Sequence, residues 1–354
     1  MGTKFSLKKL ISKKCPCLSK KYYSKIISSE EATKKYKAIQ ILQISENEFI
    51  PQGNYKKLDN YSIIQSLLNK PLMKIYINEI FRPNKSIKSF QYQKIKGIFE
   101  QIKPEIKLLF KKLNLKLIIP DKPFKYRSFT YTLEGNPATE EDLDNYIPIL
   151  LMELSIYPKS FIKRSKIKKI IILNNIQFSK INSKINLSQE RSGFPEYNET
   201  MSLILASNER NFAYIRIVFH HEIFHFIDWI DDYSFKDEKF EKLNLENFSY
   251  GNGGENEREW IKLDKNLKGF INHYSTSGLE EDKAEIYQYL IGCPDEALNN
   301  KDEIVMKKVR RIQEFINQFD NKGIGKKENN FWGNLIDFRT QFVYKESVFQ
   351  GNIC

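Results

Sequence analysis

Apolar residues recur along this chain with two periods, and their alternation outlines the fold. Spacings of three and four, the mark of a helix, run through Phe90–Phe99, Glu140–Leu154, Ile215–Ile230, Glu280–Leu290 and Asp302–Phe319. Thr139-Glu-Glu-Asp142 supplies a capping box for the second of these helices, within which Pro148 is tolerated or makes a kink. Short aliphatic runs at Leu115–Ile119, Lys168–Leu173 and Glu199–Ser207 read as strands, the Lys168 run as a central one. The expected class is therefore α+β. Three regions are expected: an arm over residues 1–40, a mixed α/β region over 41–135, and a larger domain over 136–354.

Inside the apolar helix at Ile215–Ile230 stands His221-Glu222-Ile223-Phe224-His225. Residues four apart on a helix differ by about 40° of rotation and roughly 6 Å of rise, so both imidazoles face one way. Such a pair can chelate one Zn²⁺, and Glu222 then lies where it can take a proton from a water at the open position. The bland alternative is a buried helix that carries two histidines on its apolar face. The chain has only four histidines and three lie in this segment, so chance rarely yields the spacing. His220 points about 100° away from His221 and is expected to pack or hydrogen-bond rather than ligate. The residues predict a zinc-dependent hydrolase, with a peptide or protein substrate.

Catalytic zinc needs a third protein ligand. Asp231 fits the slot of one known arrangement, but that arrangement needs glycine where Asp228 stands. A glutamate from a later helix is the other source. Glu281 and Glu285 are four apart on a strongly helical stretch and share one face. Glu281 can bind the metal while Glu285 orients a ligand imidazole. Asp228, on the metal face, suits either a similar orienting contact or a salt bridge. His273 reads as a loop residue, and Gly251, Gly253 and Gly254 as a turn.

These residues resemble the gluzincin metallopeptidases, and are similar to the catalytic domain of anthrax lethal factor and to bacterial zinc-binding metallopeptidases. The likeness rests on His221-Glu222-Ile-Phe-His225 and on Tyr274…Glu281…Ala284-Glu285, with weaker support from Trp260 and Tyr250-Gly-Asn-Gly-Gly254, and covers roughly residues 195 to 292. It implies a zincin-like domain with the metal helix beside a mixed β-sheet. It further implies His221, His225 and Glu281 as ligands, Glu222 as general base, Tyr274 as a hydrogen-bond donor to the transition state, and Glu285 behind a ligand. In such enzymes the edge strand beside the metal helix pairs with the substrate backbone. That role is expected of Glu199–Ser207.

Charge adds a second theme. Residues 1–40 hold eleven lysines and two glutamates, a net of +9 out of +13 for the whole chain, so the basic character belongs to the arm. Met1-Gly2-Thr3-Lys4-Phe5-Ser6 fits an N-myristoylation pattern. Cys15 and Cys17 are candidate palmitoylation sites, and the lysines would supply the second signal toward an anionic membrane surface. The arm lacks arginine, and no nucleic-acid-binding motif follows it, which argues against nucleic acid. No apolar signal region precedes the lysines and no stretch is long enough to span a bilayer. Four cysteines in this pattern give no disulfide framework, so a cytoplasmic setting is expected, peripheral on a membrane if the arm is acylated. Two other classes remain: a zinc-binding interaction module without catalysis, and a bacterial effector or toxin protease acting on host proteins.

Overall fold

The computed structural model describes residues 58–73, 96–181, 189–209, 212–251 and 267–342. The arm with Gly2, Cys15 and Cys17, together with Trp260, Gly253 and Gly254, lies outside them.

The first described helices are α1 (Tyr61–Leu68) and α2 (Ile98–Leu113). Most of the helical pattern expected at Phe90–Phe99 falls outside the described residues, and α2 begins only at Ile98. Strands β1 (Lys116–Ile118), β2 (Phe124–Arg127) and β3 (Tyr131–Gly135) lead to α3 (Glu140–Ser155). The capping box is present there: Thr139 Oγ1 accepts from the Asp142 N–H at 3.2 Å, and Asp142 Oδ2 accepts from the Thr139 N–H at 2.9 Å. Helix α4 (Lys159–Ser165) and strands β4 (Lys169–Leu173), β5 (Ile176–Lys180), β6 (Gln189–Arg191), β7 (Gly193–Glu196) and β8 (Ser202–Ala206) follow. The chain then forms α5 (Phe212–Asp232), α6 (Glu238–Glu241), a 3₁₀ turn at Tyr274–Thr276, α7 (Leu279–Gly292), α8 (Pro294–Leu298), α9 (Glu303–Phe319) and α10 (Phe331–Phe342).

The expected α+β class is observed, as helices around two four-stranded sheets. The first sheet runs β1-β4-β8-β7, with β1, β4 and β8 parallel and β7 antiparallel at the edge. The second is antiparallel, in the order β2-β3-β5-β6. A small core between them holds Leu133, Ile171, Phe178 and Ile204, while the main core gathers the helices against the other face of the first sheet. Both sheets join strands from either side of residue 135: β1 pairs with β4, and β3 with β5.

One expectation is corrected. Strand β8, within the Glu199–Ser207 run, is an interior strand with β4 on one side and β7 on the other. All five of its residues are buried, as for any strand covered on both faces. The edge is β7, which includes Pro195, a residue that sheets accept at an edge because it brings no N–H to the ladder.

Helix α5 is apolar around most of its circumference and is accordingly enclosed, with α7 alongside. Around the first turns of α7 each residue points about 100° from the last, and each takes a different partner. Asp282 Oδ2 binds Lys308 Nζ of α9 at 2.6 Å, and Lys283 Nζ binds Asp228 Oδ1 of α5 at 2.8 Å. These buried ion pairs fix the rotation of α7 against its neighbours. No helix among the described residues is long and apolar enough to cross a membrane.

Candidate metal centre

His221 and His225 stand one turn apart on α5, and the first turn of α7 brings Glu281 to face them. That end of the helix carries partial positive charge, which favours an ionised carboxylate. His221 Nε2 lies 3.0 Å from Glu281 Oε2 and 3.0 Å from His225 Nε2, and the third side, His225 Nε2 to Glu281 Oε2, is 3.4 Å. Around a tetrahedral ion with bonds near 2.05 Å, ligand atoms are about 3.3 Å apart. The three donors therefore mark one triangular face of such a tetrahedron.

The donor chemistry fits zinc as well as the spacing does: two imidazoles and one carboxylate, all largely buried. Burial lowers the His221 imidazole, yet hydrogen bonds with Glu281 and Glu285 outweigh it and hold the group well above its ordinary value. Burial raises the Glu281 carboxyl, but the two histidines hold it far below the usual carboxylate range. Both directions describe a cavity that draws positive charge. Among the described residues no other group of three or more such side chains converges in this way.

Behind the donors, Glu285 Oε1 lies 3.0 Å from His221 Nδ1. Its other oxygen accepts from Asn272 Nδ2 at 2.6 Å and also from Gln288. A carboxylate only accepts, so Nδ1 carries a proton toward Glu285, and Nε2 would be the nitrogen left to give its lone pair to a bound metal. Asp228 makes its ion pair with Lys283, which also donates to the Phe235 carbonyl at 2.8 Å.

Glu222 is buried beside the donors without joining them. Burial pushes its carboxyl up, and the neighbouring His221 and His225 only partly offset this. Its side chain rests on the backbone of β7: a methyl carbon added at Gly193 would sit 2.5 Å from Glu222 Cγ and 2.8 Å from Oε1. Tyr274, in the 3₁₀ turn, has its ring centroid 5.9 Å from that of His221 and hydrogen-bonds to Glu281. Burial first, then the nearby carboxylates, raise its phenol well above the ordinary value, so it keeps its proton.

His220 faces away from the donors. Its Nδ1 meets Tyr157 Oη at 2.7 Å and its Nε2 meets Glu153 Oε2 at 2.9 Å. Burial lowers it to about 4 despite Glu153, so the ring stays neutral, donating from Nε2 and accepting at Nδ1. Glu153 also binds Arg216 Nε at 3.0 Å and two Arg339 nitrogens at 2.8 and 2.5 Å. His273 is half-buried where the 3₁₀ turn begins, outside the metal cluster.

Gly193, Glu153 and Arg339 escape a reading of the sequence. Gly193 comes to Glu222 from a separate strand, and Glu153 and Arg339 gather around His220 on the side away from the donors; the one local signal is Pro195, which marks its strand as an edge.

A family model described as "Putative zinc-binding metallo-peptidase" matches residues 145–328, just over half of the chain. A crystal structure of a protein given the same description, from Bacteroides caccae, aligns with a TM-score of 0.38 at 13% identity, over 72% of this chain and 93% of that one. No curated protein matches.

Proposed function

The chain belongs to the family of zinc-binding metallopeptidases, and from that premise we propose that it is an endopeptidase of gluzincin type, with Glu222 as its general base. The observation that carries this reading is the triangle of His221 Nε2, His225 Nε2 and Glu281 Oε2, with a buried carboxylate beside it that takes no part in ligation. A purely structural zinc site would close with a fourth protein ligand and would have no use for a base.

His221, His225 and Glu281 hold the ion, and Glu285 fixes the His221 tautomer. Zinc, when bound, supplies Lewis-acid polarisation of the scissile carbonyl and makes a water more acidic. Glu222 takes a proton from the attacking water, whose oxygen bonds to the carbonyl carbon. As negative charge gathers on the carbonyl oxygen, the protonated Tyr274 phenol donates a hydrogen bond to it. The C–N bond then breaks, and Glu222 passes its proton to the leaving amine nitrogen. Strand β7, at the sheet edge and against Glu222, is where an extended substrate would add its backbone.

The test compares the wild type with Glu222→Gln. Elemental analysis is expected to find equal zinc in both, while profiling of newly formed peptide termini finds cleavage only with the wild type. Identical termini in the two samples would end the catalytic reading in favour of a zinc-binding interaction module.

A further inference from the structure

One cation near the site has no part in this chemistry. Arg191 ends β6, and Ser192 and Gly193 carry the chain directly onto β7, where Gly193 touches Glu222. Three consecutive residues of extended chain span only about 7 Å between their outer Cα atoms. The guanidinium is held in place: it donates to Gln189 Oε1 at 2.7 Å and lies over the Phe178 ring, 5.5 Å from its centroid. Its field reaches both the Glu222 carboxyl and the Tyr274 phenol, the two groups that would handle the reacting carbonyl.

The buried cations of the core each have a carboxylate. Arg216 and Arg339 share Glu153, Lys283 has Asp228, and Lys308 has Asp282. Arg191 is half-buried, yet among the described residues it pairs with none. An aromatic wall adjoins it, where the Tyr131, Phe178 and Phe194 rings have centroids 5.0–5.6 Å apart. Phe194 follows Gly193 on β7, so the wall and the guanidinium border the strand on which a substrate would lie. A rigid guanidinium on an apolar backing, with donors to spare, suits a carboxylate that arrives with the ligand.

We propose that Arg191 anchors a substrate carboxylate, so that peptides are cut where an acidic group flanks the scissile bond. This assignment rests on the peptidase reading above. The carboxylate comes from an aspartate or glutamate side chain, since a free C-terminus beside the scissile bond would make the enzyme an exopeptidase. A bidentate, charge-assisted contact is expected to favour such substrates by about 10- to 100-fold, mainly through KM.

The experiment profiles cleavage of a proteome-derived peptide library by zinc-loaded wild type, Arg191→Glu, Arg191→Lys and, as a remote charge control, Lys107→Glu. The wild type and Lys107→Glu are expected to require an acidic group at one fixed position. Arg191→Lys weakens that requirement, and Arg191→Glu replaces it with a preference for lysine or arginine. Asp→Asn and Glu→Gln exchange in the substrate is expected to abolish the preference and C-terminal amidation to leave it unchanged; loss on amidation would overturn the side-chain anchor. An unchanged acidic preference in Arg191→Glu, or none in the wild type, would overturn the assignment. If the wild type cuts nothing, the peptidase reading fails separately. Fluorescence anisotropy of labelled acidic and amide-matched peptides on the zinc-loaded protein then decides the anchor. At least 10-fold tighter acidic binding, lost in Arg191→Glu, supports it, and equal binding refutes it.

Discussion

Replacing Gly193 with alanine would displace the proposed base without altering any metal ligand. The new methyl carbon would lie 2.5 Å from Glu222 Cγ, 2.8 Å from Oε1 and 2.9 Å from Cδ. Ordinary contact begins near 3.4 Å, so Glu222 must retreat by about 0.9 Å or β7 must shift. A misplacement of about 1 Å costs on the order of 10²-fold in rate, equivalent to about 2.7 kcal/mol of barrier. Overpacking adds a stability loss of about 1–3 kcal/mol. The assay measures kcat and KM on one peptide substrate, zinc content and Tm, for Gly193→Ala and wild type. The expected result is full zinc occupancy, a modest fall in Tm and a kcat reduced about 100-fold. A folded, zinc-replete variant with a kcat within about threefold of wild type would refute the claim that contact with β7 sets the position of Glu222.

Removing the Glu285 support by Glu285→Gln is expected to weaken zinc binding by about 10- to 100-fold in chelator competition, and an unchanged affinity would deny its orienting role. Glu153 tests the buried charge cluster through pH. Burial raises its carboxyl, but Arg339 and Arg216, with hydrogen bonds from His220 and Arg339, hold it well below the ordinary range. A folded-state value below the unfolded one, roughly 4.3, gives stability that is complete above about pH 5 and lost as pH falls through the lower folded value. Urea unfolding of Glu153→Gln is therefore expected to show a deficit of about 3–5 kcal/mol at pH 7 that shrinks in strong acid; a deficit independent of pH would contradict this. For the arm, a chain carrying a myristoyl group on Gly2 is expected to bind anionic vesicles in a salt-sensitive manner, with about 1 kcal/mol from each lysine at the surface, and Gly2→Ala to bind more weakly. Equal flotation of the two proteins would remove the anchoring expected of the arm.

The two histidines and Glu222 were legible because one helix fixes their geometry, whatever surrounds it. Glu281 and Glu285 were legible for a related reason: their shared face is local to α7, and only its docking on α5 depends on the fold. Strand pairing is non-local, and there the sequence misleads. The run ending at Ser207 was assigned to the edge, yet its unbroken apolar character is that of an interior strand. Gly193-Phe-Pro-Glu196 is too short and proline-broken to carry a strand pattern, although it forms the edge itself. Glu153 and Arg339 sit on helices where a charge normally meets water. Only the packing of α3, α5 and α10 reveals that 186 positions of sequence separate two bonded groups.

The partnership between Glu153 and Arg339 bears on where this protein can be cut for study. The stretch matched by the family model ends at residue 328, eleven positions short of that arginine. A fragment trimmed to those limits would keep His221, His225 and Glu281 and lose the guanidinium that bridges Glu153 and the Ile291 carbonyl. The expression boundary must therefore reach beyond α10, or the recombinant product will carry an under-compensated anion behind its metal helix.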